Sequence, residues 1–138
     1  MIGTGEAGWT TAARCRAAGK QVAIVDSRPF GGTCGLRGCD PKKVLVGAAE
    51  LVDRRRRMEG RGVAGEIQID WPELIRFKAG FTDPLPRQRE DGLLNEGIAT
   101  VNGRAHLVDE HSNQVGADTP EGTPRGVATG AGRAGRRT

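Results

Sequence analysis

The sequence has 138 residues, of which 36% are hydrophobic and 28% are charged, and its formal net charge is +4 at pH 7. It contains no run of about 18 apolar residues, which excludes a membrane-spanning helix, and three cysteines are too few for a secreted disulfide scaffold. The small number of cysteines is typical of a cytoplasmic protein with reactive thiols. We expect no nucleic-acid partner, because the basic excess lies in one arginine run and the tail and aromatic residues make up only 4%.

Large apolar residues are scarce and unevenly placed. Leu, Ile, Val and Phe together account for 27 of the 138 residues, which supports only a thin core. Val127 is the only one of these residues beyond Val115. We therefore predict one domain over residues 1–115 and a mobile, Gly- and Arg-rich tail over residues 116–138.

The N-terminal segment has the pattern of a strand, a glycine turn, a helix and a second strand. Ile2 would end the first strand, residues 7–18 would form the helix, and residues 21–26 would form the second strand. Only Met1 and Ile2 represent the first strand, whereas strands usually contain about five or six residues. The sequence thus predicts a truncated start to the fold.

Gly3, Gly5 and Gly8 have the spacing of a dinucleotide-binding turn between a strand and a helix. Gly3 would allow a tight turn, Gly5 the close approach of a pyrophosphate, and Gly8 the close packing of helix and strand. Asp26 follows Gly8 by 18 residues, at the end of the second strand, where an acid can accept hydrogen bonds from a ribose. The alternative is a chance run, since 22 of the 138 residues are glycine.

Cys34 and Cys39 lie five positions apart in a glycine-rich stretch. A zinc site is not expected, because zinc needs about four ligands and His106 and His111 stand apart from the cysteines. In a regular helix, residues five positions apart are separated by about 7.5 Å along the axis, which is too far for a disulfide. A bonded pair would therefore require an irregular turn, which Gly35, Gly38 and Pro41 permit.

The remaining sequence alternates between helical and strand patterns. Apolar residues at helical spacing predict three further helices, over residues 42–57, 71–78 and 83–96. Short apolar runs predict three strands, over residues 67–69, 98–101 and 105–108. The turn dipeptide Asn102-Gly103 predicts that the last two strands form a hairpin.

The glycine turn followed by Gly-Gly-Thr-Cys-x4-Cys-x-Pro-x-Lys resembles the flavin-dependent pyridine nucleotide–disulfide oxidoreductases. This family includes glutathione reductase, dihydrolipoamide dehydrogenase and mercuric reductase. The resemblance is highly specific over residues 1–45. It extends to Gly103-Arg104-Ala105, which is similar to a segment that touches the adenine, and to Ala128-Thr129-Gly130, which is similar to a flavin-contacting turn.

The resemblance implies an incomplete, Rossmann-like α/β domain that binds FAD. The small hairpin and the disordered C-terminal tail predicted from the residues would be attached to it. Cys34 would be the interchange thiol that attacks the substrate disulfide, and Cys39 the charge-transfer thiol that lies against the flavin. The implied FAD contacts are Gly3, Gly5, Gly8, Asp26, Thr33, Lys42 or Lys43, Ala105, Thr129 and Gly130. Arg37 and Asp40 replace residues that are usually uncharged in this family, and Asp40 would oppose the ionisation of a neighbouring thiol.

The implied function is that of an FAD-dependent, NAD(P)H-linked oxidoreductase that acts on a small-molecule disulfide or a metal ion. Family members are longer, form homodimers and add a nicotinamide-binding domain, whereas this sequence has no second glycine fingerprint. We therefore expect an N-terminal FAD-binding segment that has no NAD(P)H site and is inactive and monomeric when alone. The alternatives are a non-catalytic remnant that binds no cofactor and a thiol-redox module that uses Cys34 and Cys39 without flavin.

Overall fold

The computed structural model describes residues 1–108, 113–116 and 126–130. The elements in chain order are α1 (Glu6–Ala17), β1 (Ala23–Asp26), α2 (Gly32–Arg37), α3 (Cys39–Arg57), α4 (Trp71–Thr82), α5 (Leu85–Asn95), β2 (Ala99–Asn102), β3 (Ala105–Leu107) and β4 (Asn113–Val115). This mixture of helices and strands confirms the predicted α/β class. None of the helices in the described part of the chain is long and apolar enough to cross a membrane.

A parallel sheet forms the centre of the fold. β1 pairs in parallel with β2, and on its other side Val25 forms a parallel bridge with Ile2. Ile2 also forms a parallel bridge with Val127, so the C-terminal segment continues the sheet beyond the N-terminus. The order across the sheet is therefore β2, β1, Ile2 and Val127.

The core lies where α1 and α5 pack against this sheet. Its buried members are Ala12, Ile24, Leu93 and Ile98. Gly97 follows the end of α5 with a φ of 72°, and its N–H donates to the Leu94 carbonyl oxygen at 2.9 Å. A left-handed glycine at this position ends the helix and directs the chain into β2.

The three helices predicted after the cysteines are present with different bounds. α3 begins at Cys39 rather than at residue 42, because the interruption at Gly38 leaves the residues after it free to start a helix. α4 continues to Thr82, beyond the predicted end at residue 78, and α5 is shorter at both ends than predicted. The strand predicted over residues 67–69 is wrong, because this exposed segment runs beside the end of α3 and away from the sheet.

The hairpin predicted around Asn102-Gly103 is also wrong. β2 pairs in parallel with β1, while β3 forms a small antiparallel pair with β4. Burial of Ile98 in the core draws the following strand alongside β1. The Gly103 N–H then donates to the Asp26 carbonyl oxygen at 2.8 Å, so the dipeptide continues the parallel ladder instead of closing a tight turn.

Part of the tail predicted over residues 116–138 contacts the sheet. The Ile2 N–H donates to the Gly126 carbonyl oxygen at 2.8 Å, and the Ala128 N–H donates to the Ile2 carbonyl oxygen at 2.7 Å. Val127 between them is 63% exposed, so backbone hydrogen bonds rather than side-chain packing hold this segment. Most of the tail lies outside the described residues, and its mobility stays a prediction.

Leu93→Ala should lower the free energy of unfolding by about 2–5 kcal/mol, the usual range for truncating a buried leucine. Leu93 is completely buried between α5 and the sheet, so its removal leaves a cavity. Urea unfolding followed by circular dichroism measures the change. The adjacent Leu94 is 51% exposed, so Leu94→Ala should change the same free energy by less than about 0.5 kcal/mol. Equal effects of the two substitutions would contradict the assigned core.

Candidate functional site

Backbone atoms enclose the glycine turn before α1 on two sides. Gly3 has a φ of 105°, which favours glycine, and its N–H donates to the Val25 carbonyl oxygen at 2.7 Å. A Cβ atom on Gly3 would overlap the carbonyl oxygen of Ala128, and one on Gly8 would overlap the carbonyl oxygen of Gly3. The two glycines therefore allow α1 and the C-terminal segment to approach the same peptide.

Gly5 differs from the other two glycines because the space beside it is open. Apart from Gly5 itself and its two chain neighbours, no residue has an atom within 4 Å of the position that a Cβ would take, and the φ of −69° is accessible to any residue. Gly5 is the N-cap of α1. The unpaired N–H groups and the dipole at such a helix start attract anions. The opening therefore fits the pyrophosphate of a dinucleotide.

The Asp26 carboxylate connects β1 to this turn. Its Oδ2 atom accepts hydrogen bonds from the Thr4 N–H at 2.8 Å and from Thr4 Oγ1 at 2.7 Å, and its Oδ1 atom accepts one from the Arg28 N–H at 3.0 Å. Asp26 is half-buried, and each ionised carboxylate oxygen has more than one lone pair. The carboxylate is thus fixed in place while it keeps capacity to accept from a ligand hydroxyl.

The loop that leads into α2 lies against the same turn. Gly32 has a φ of 67°, and a Cβ on it would be 2.5 Å from the Gly5 Cα atom. The Gly31 N–H donates to Thr4 Oγ1 at 3.3 Å. Thr4 therefore joins the glycine turn, Asp26 and this loop. Sequence reasoning missed Thr4; the available signal was a small hydroxyl residue between two glycines of the fingerprint.

The two cysteines lie on consecutive helices that meet at Gly38. Cys34 is half-buried in α2, and Cys39 is exposed as the first residue of α3. Gly38 has φ −123° and ψ −106°, and a Cβ on it would be 3.0 Å from the Thr33 carbonyl oxygen. The interruption expected between the cysteines is therefore this helix break at Gly38, whereas Gly35 and Pro41 lie within α2 and α3. Both cysteines are free thiols.

The environment of Cys34 raises its pKa above the ordinary value of a thiol. The largest cause is the hydrogen bond between the Cys34 and Cys39 side chains, followed by desolvation and by the charges of Cys39 and Asp40. A backbone hydrogen bond from Cys39 acts in the opposite direction. Asp40 thus opposes ionisation of Cys34, as its position in the sequence indicated.

Five further residues of the predicted site lie near the glycine turn or near the two cysteines. Lys42 and Lys43 are exposed on the first turn of α3, directly after the cysteines. Thr129 and Gly130 are exposed and follow Ala128, whose backbone touches Gly3. Thr33 is exposed and follows Gly32 in α2. The fold thus places Thr33 and Thr129 near the glycine turn and the two lysines near the thiols.

Ala105 lies farther along the same sheet edge. It belongs to β3, which begins just after the Gly103 hydrogen bond to Asp26. An open cleft of about 580 Å³ lies between the end of β2 and the β3–β4 pair, and His106 contributes to its lining. In the part of the chain that the structure describes, no three His, Cys, Asp or Glu side chains are grouped as metal ligands would be. His111 lies outside the described residues.

Sequence reasoning also missed an ion pair beside the glycine turn. Arg89 Nη2 of α5 lies 2.9 Å from Glu6 Oε1 at the start of α1. The same guanidinium lies over the ring of Trp9, with its Cζ atom 5.1 Å from the ring centre. A helical arginine 83 positions away from its partner has no local sequence signal.

Comparisons with known proteins agree with this geometry. The family model for pyridine nucleotide-disulphide oxidoreductases matches residues 1–134. Dihydrolipoyl dehydrogenase 2 of Haloarcula marismortui is 31% identical over 115 residues, which cover 83% of this chain and 24% of that protein. Glutathione reductase of Nostoc sp. is 32% identical over 117 residues, which cover 84% of this chain and 26% of that protein.

The fold is also similar to that of a solved flavoprotein. The HOCl-induced flavoprotein disulfide reductase RclA from Escherichia coli superimposes with a TM-score of 0.70 and 27% identity, over 87% of this chain and 25% of that chain. The chain therefore spans about a quarter of the length of each of these three proteins.

Near pH 8, below the ordinary pKa of a thiol, Cys34 should react slowly with iodoacetamide, because its raised pKa leaves less thiolate. Cys39→Ala removes the side-chain hydrogen bond and the neighbouring charge but keeps the backbone N–H of residue 39. The labelling rate of Cys34 should therefore rise, and its pH midpoint should fall. Mass spectrometry of a Cys15→Ala background measures the rate at Cys34 alone. A Cys34 labelling rate that falls or stays constant in the Cys39→Ala variant would contradict the conclusion that Cys39 raises the pKa of Cys34.

Proposed function

The chain belongs to the pyridine nucleotide-disulphide oxidoreductase family, and on that premise we propose that it forms the FAD-binding, cysteine-bearing part of an NAD(P)H-linked disulfide oxidoreductase. Members of this family are FAD-dependent flavoproteins. One observation carries the proposal: the opening over Gly5, the Asp26 carboxylate and the loop at Gly31 meet at one edge of the sheet, joined through Thr4. α2, which carries Cys34, begins directly after that loop.

The nucleotide half of FAD is proposed to bind along this edge. The pyrophosphate would lie over Gly5, where the start of α1 offers N–H groups and space. Asp26 would accept hydrogen bonds from the ribose, since it ends β1 and is held by backbone donors. Ala105 would contact the adenine from β3, although Arg104 and His106 rather than Ala105 line the cleft. Gly3 and Gly8 would act indirectly, by keeping α1 close to the sheet.

The flavin half is proposed to extend toward the cysteines. Thr33 and one of the two lysines, Lys42 or Lys43, would contact it from α2 and α3, and Thr129 with Gly130 from the C-terminal segment. Cys39 is exposed at the start of α3, which leaves its sulfur accessible to a flavin ring. When bound, FAD supplies the two-electron transfer from NAD(P)H that returns a cysteine disulfide to two thiols.

The chemistry proposed for the cysteines is thiol–disulfide exchange. The Cys34 thiolate attacks one sulfur of a substrate disulfide, so the substrate S–S bond breaks and one substrate thiol leaves. The Cys39 thiolate then attacks the Cys34 sulfur, which forms the Cys34–Cys39 disulfide and releases the second substrate thiol. Two electrons pass from the cysteines to the substrate, and the two cysteine protons end on the two substrate thiols.

The proposed substrate class is a small-molecule disulfide, in keeping with the glutathione and dihydrolipoyl names of the relatives. A metal ion is the alternative substrate, because two neighbouring thiols can also hold a soft ion. A cytoplasmic location is part of the proposal, since thiols persist in reducing compartments.

FAD should bind to the purified chain, and Gly5→Val should abolish that binding, because the added side chain would occupy the place of the pyrophosphate. The space beside Gly5 and its ordinary φ allow the variant to fold, which circular dichroism verifies. Quenching of flavin fluorescence on titration measures the affinity. Gly47→Val is the matched control, because Gly47 lies on α3 with nothing within 4 Å of its Cβ position.

Unchanged binding by the Gly5→Val variant would contradict the placement of the pyrophosphate. A folded wild-type chain without FAD binding would favour a remnant, or a flavin-free thiol-redox module if the thiols still cycle.

Mild oxidation with diamide should join Cys34 to Cys39 and leave Cys15 free. Trypsin cleaves after Arg37, so the disulfide appears as two peptides that separate on reduction, and mass spectrometry identifies them. The Cys15→Ala variant should give the same linked pair. A bond from Cys15 to either of the other cysteines would contradict the assigned redox pair.

A further inference from the structure

We infer that Arg89 is a positioning residue of the dinucleotide site: it neutralises Glu6 beside the opening over Gly5, so that the phosphates can bind there. The inference rests on the proposed function, because it concerns the affinity of that same site for its dinucleotide.

Glu6 places a carboxylate where the proposed ligand brings its own negative charge. It directly follows Gly5 as the first residue of α1, and its side chain is 60% exposed. The helix dipole favours a negative charge at this position, which makes Glu6 a suitable residue for the helix itself. A pyrophosphate that approaches over Gly5 would be repelled by the same carboxylate if nothing offset its charge.

Arg89 lies where it can offset that charge. Its Nη2 atom is 2.9 Å from Glu6 Oε1, and its side chain is only 30% exposed. Its Cγ atom lies 3.7 Å from the position of a Cβ on Gly31, in the loop that borders the opening over Gly5. The Arg89 side chain therefore passes the loop at Gly31 and places its guanidinium on Glu6, next to the residue over which the phosphates are proposed to bind.

The packing of α5 on α1 holds the guanidinium in this place. The ring of Trp9 lies under the guanidinium, and Gly92 makes room for the ring, since a Cβ there would be 2.7 Å from it. The other ion pairs of the described residues join positions three or four apart, either within one helix or, for Arg55 with Glu59, across the C-terminal end of α3. The pair of Arg89 with Glu6 instead spans two elements, so it depends on the tertiary fold rather than on helix geometry.

The test compares the FAD affinity of the wild-type chain with that of three variants, by quenching of flavin fluorescence at low salt. Arg89→Met leaves Glu6 unneutralised and should weaken binding about fivefold, the upper end of the contribution of an exposed charge pair. Glu6→Gln removes the repelling carboxylate and frees Arg89, so it should bind more tightly than wild type. The double variant should return to within about twofold of wild type, because both charges are gone.

Arg87→Met is the matched control for the loss of an arginine from α5. The Arg87 side chain is 89% exposed and pairs with Asp91 on the same helix, so its loss should leave FAD affinity unchanged. Raising the salt to about 1 M NaCl should reduce the effect of Arg89→Met, because screening then acts within a few ångströms. A purely structural role of Arg89 predicts no such dependence on salt.

Several results would overturn the inference. These are equal affinities of Arg89→Met and wild type, a double variant as weak as Arg89→Met, or a Glu6→Gln variant that does not bind more tightly. If Arg89→Met fails to fold, the FAD affinity of the Glu6→Gln variant tests the inference by itself. If the wild-type chain binds no FAD, the proposed function fails and the inference fails with it. The other failures leave the proposed function intact.

Discussion

At the N-terminus, the peptide of Gly3 lies in contact with both α1 and the backbone of Ala128, with no room for a side chain at Gly3 or Gly8. This close approach allows Ile2 to form backbone hydrogen bonds with the C-terminal segment while its neighbours pair with β1. It also lets α1 begin immediately beside the sheet edge, which leaves the N-terminal end of the helix open at Gly5. A Cβ at either enclosed glycine would separate these elements, so the sheet and the candidate site depend on the same constraint.

Polar contacts carry this arrangement from the sheet to the cysteines. The Thr4 hydroxyl donates to Asp26 at the end of β1 and accepts from the Gly31 N–H. The glycine turn thereby holds the loop at Gly31 in place. α2 begins directly after this loop, so Cys34 lies within one helical turn of it. The candidate nucleotide site and the candidate redox pair are therefore connected by short backbone segments, which limits how far one can move relative to the other.

A carboxylate lies at each end of the proposed site. Glu6 lies within the glycine fingerprint and is paired with Arg89, whereas Asp40 lies beside the cysteines and contributes to the raised pKa of Cys34. The proposed attack by Cys34 would need the thiolate, so the carboxylate at position 40 would make that step more dependent on proton removal. Arg89 thus pairs with the carboxylate beside the proposed phosphate position, while near the thiols the charge of Asp40 opposes ionisation of Cys34.

The sequence by itself determined the features that depend on neighbouring residues. The glycine spacing, the acid at the end of β1, the cysteine pair and the family could be identified because turn conformations, helical periodicity and motifs act over a few positions. The pairing of β2 with β1 could not, because the short apolar run before Asn102 has the same pattern in a hairpin and in a parallel ladder. Only burial of Ile98 against α5 decided between them. The pairing of Arg89 with Glu6 was likewise decided by the tertiary structure, since packing of α5 on α1 joins residues that no local pattern relates.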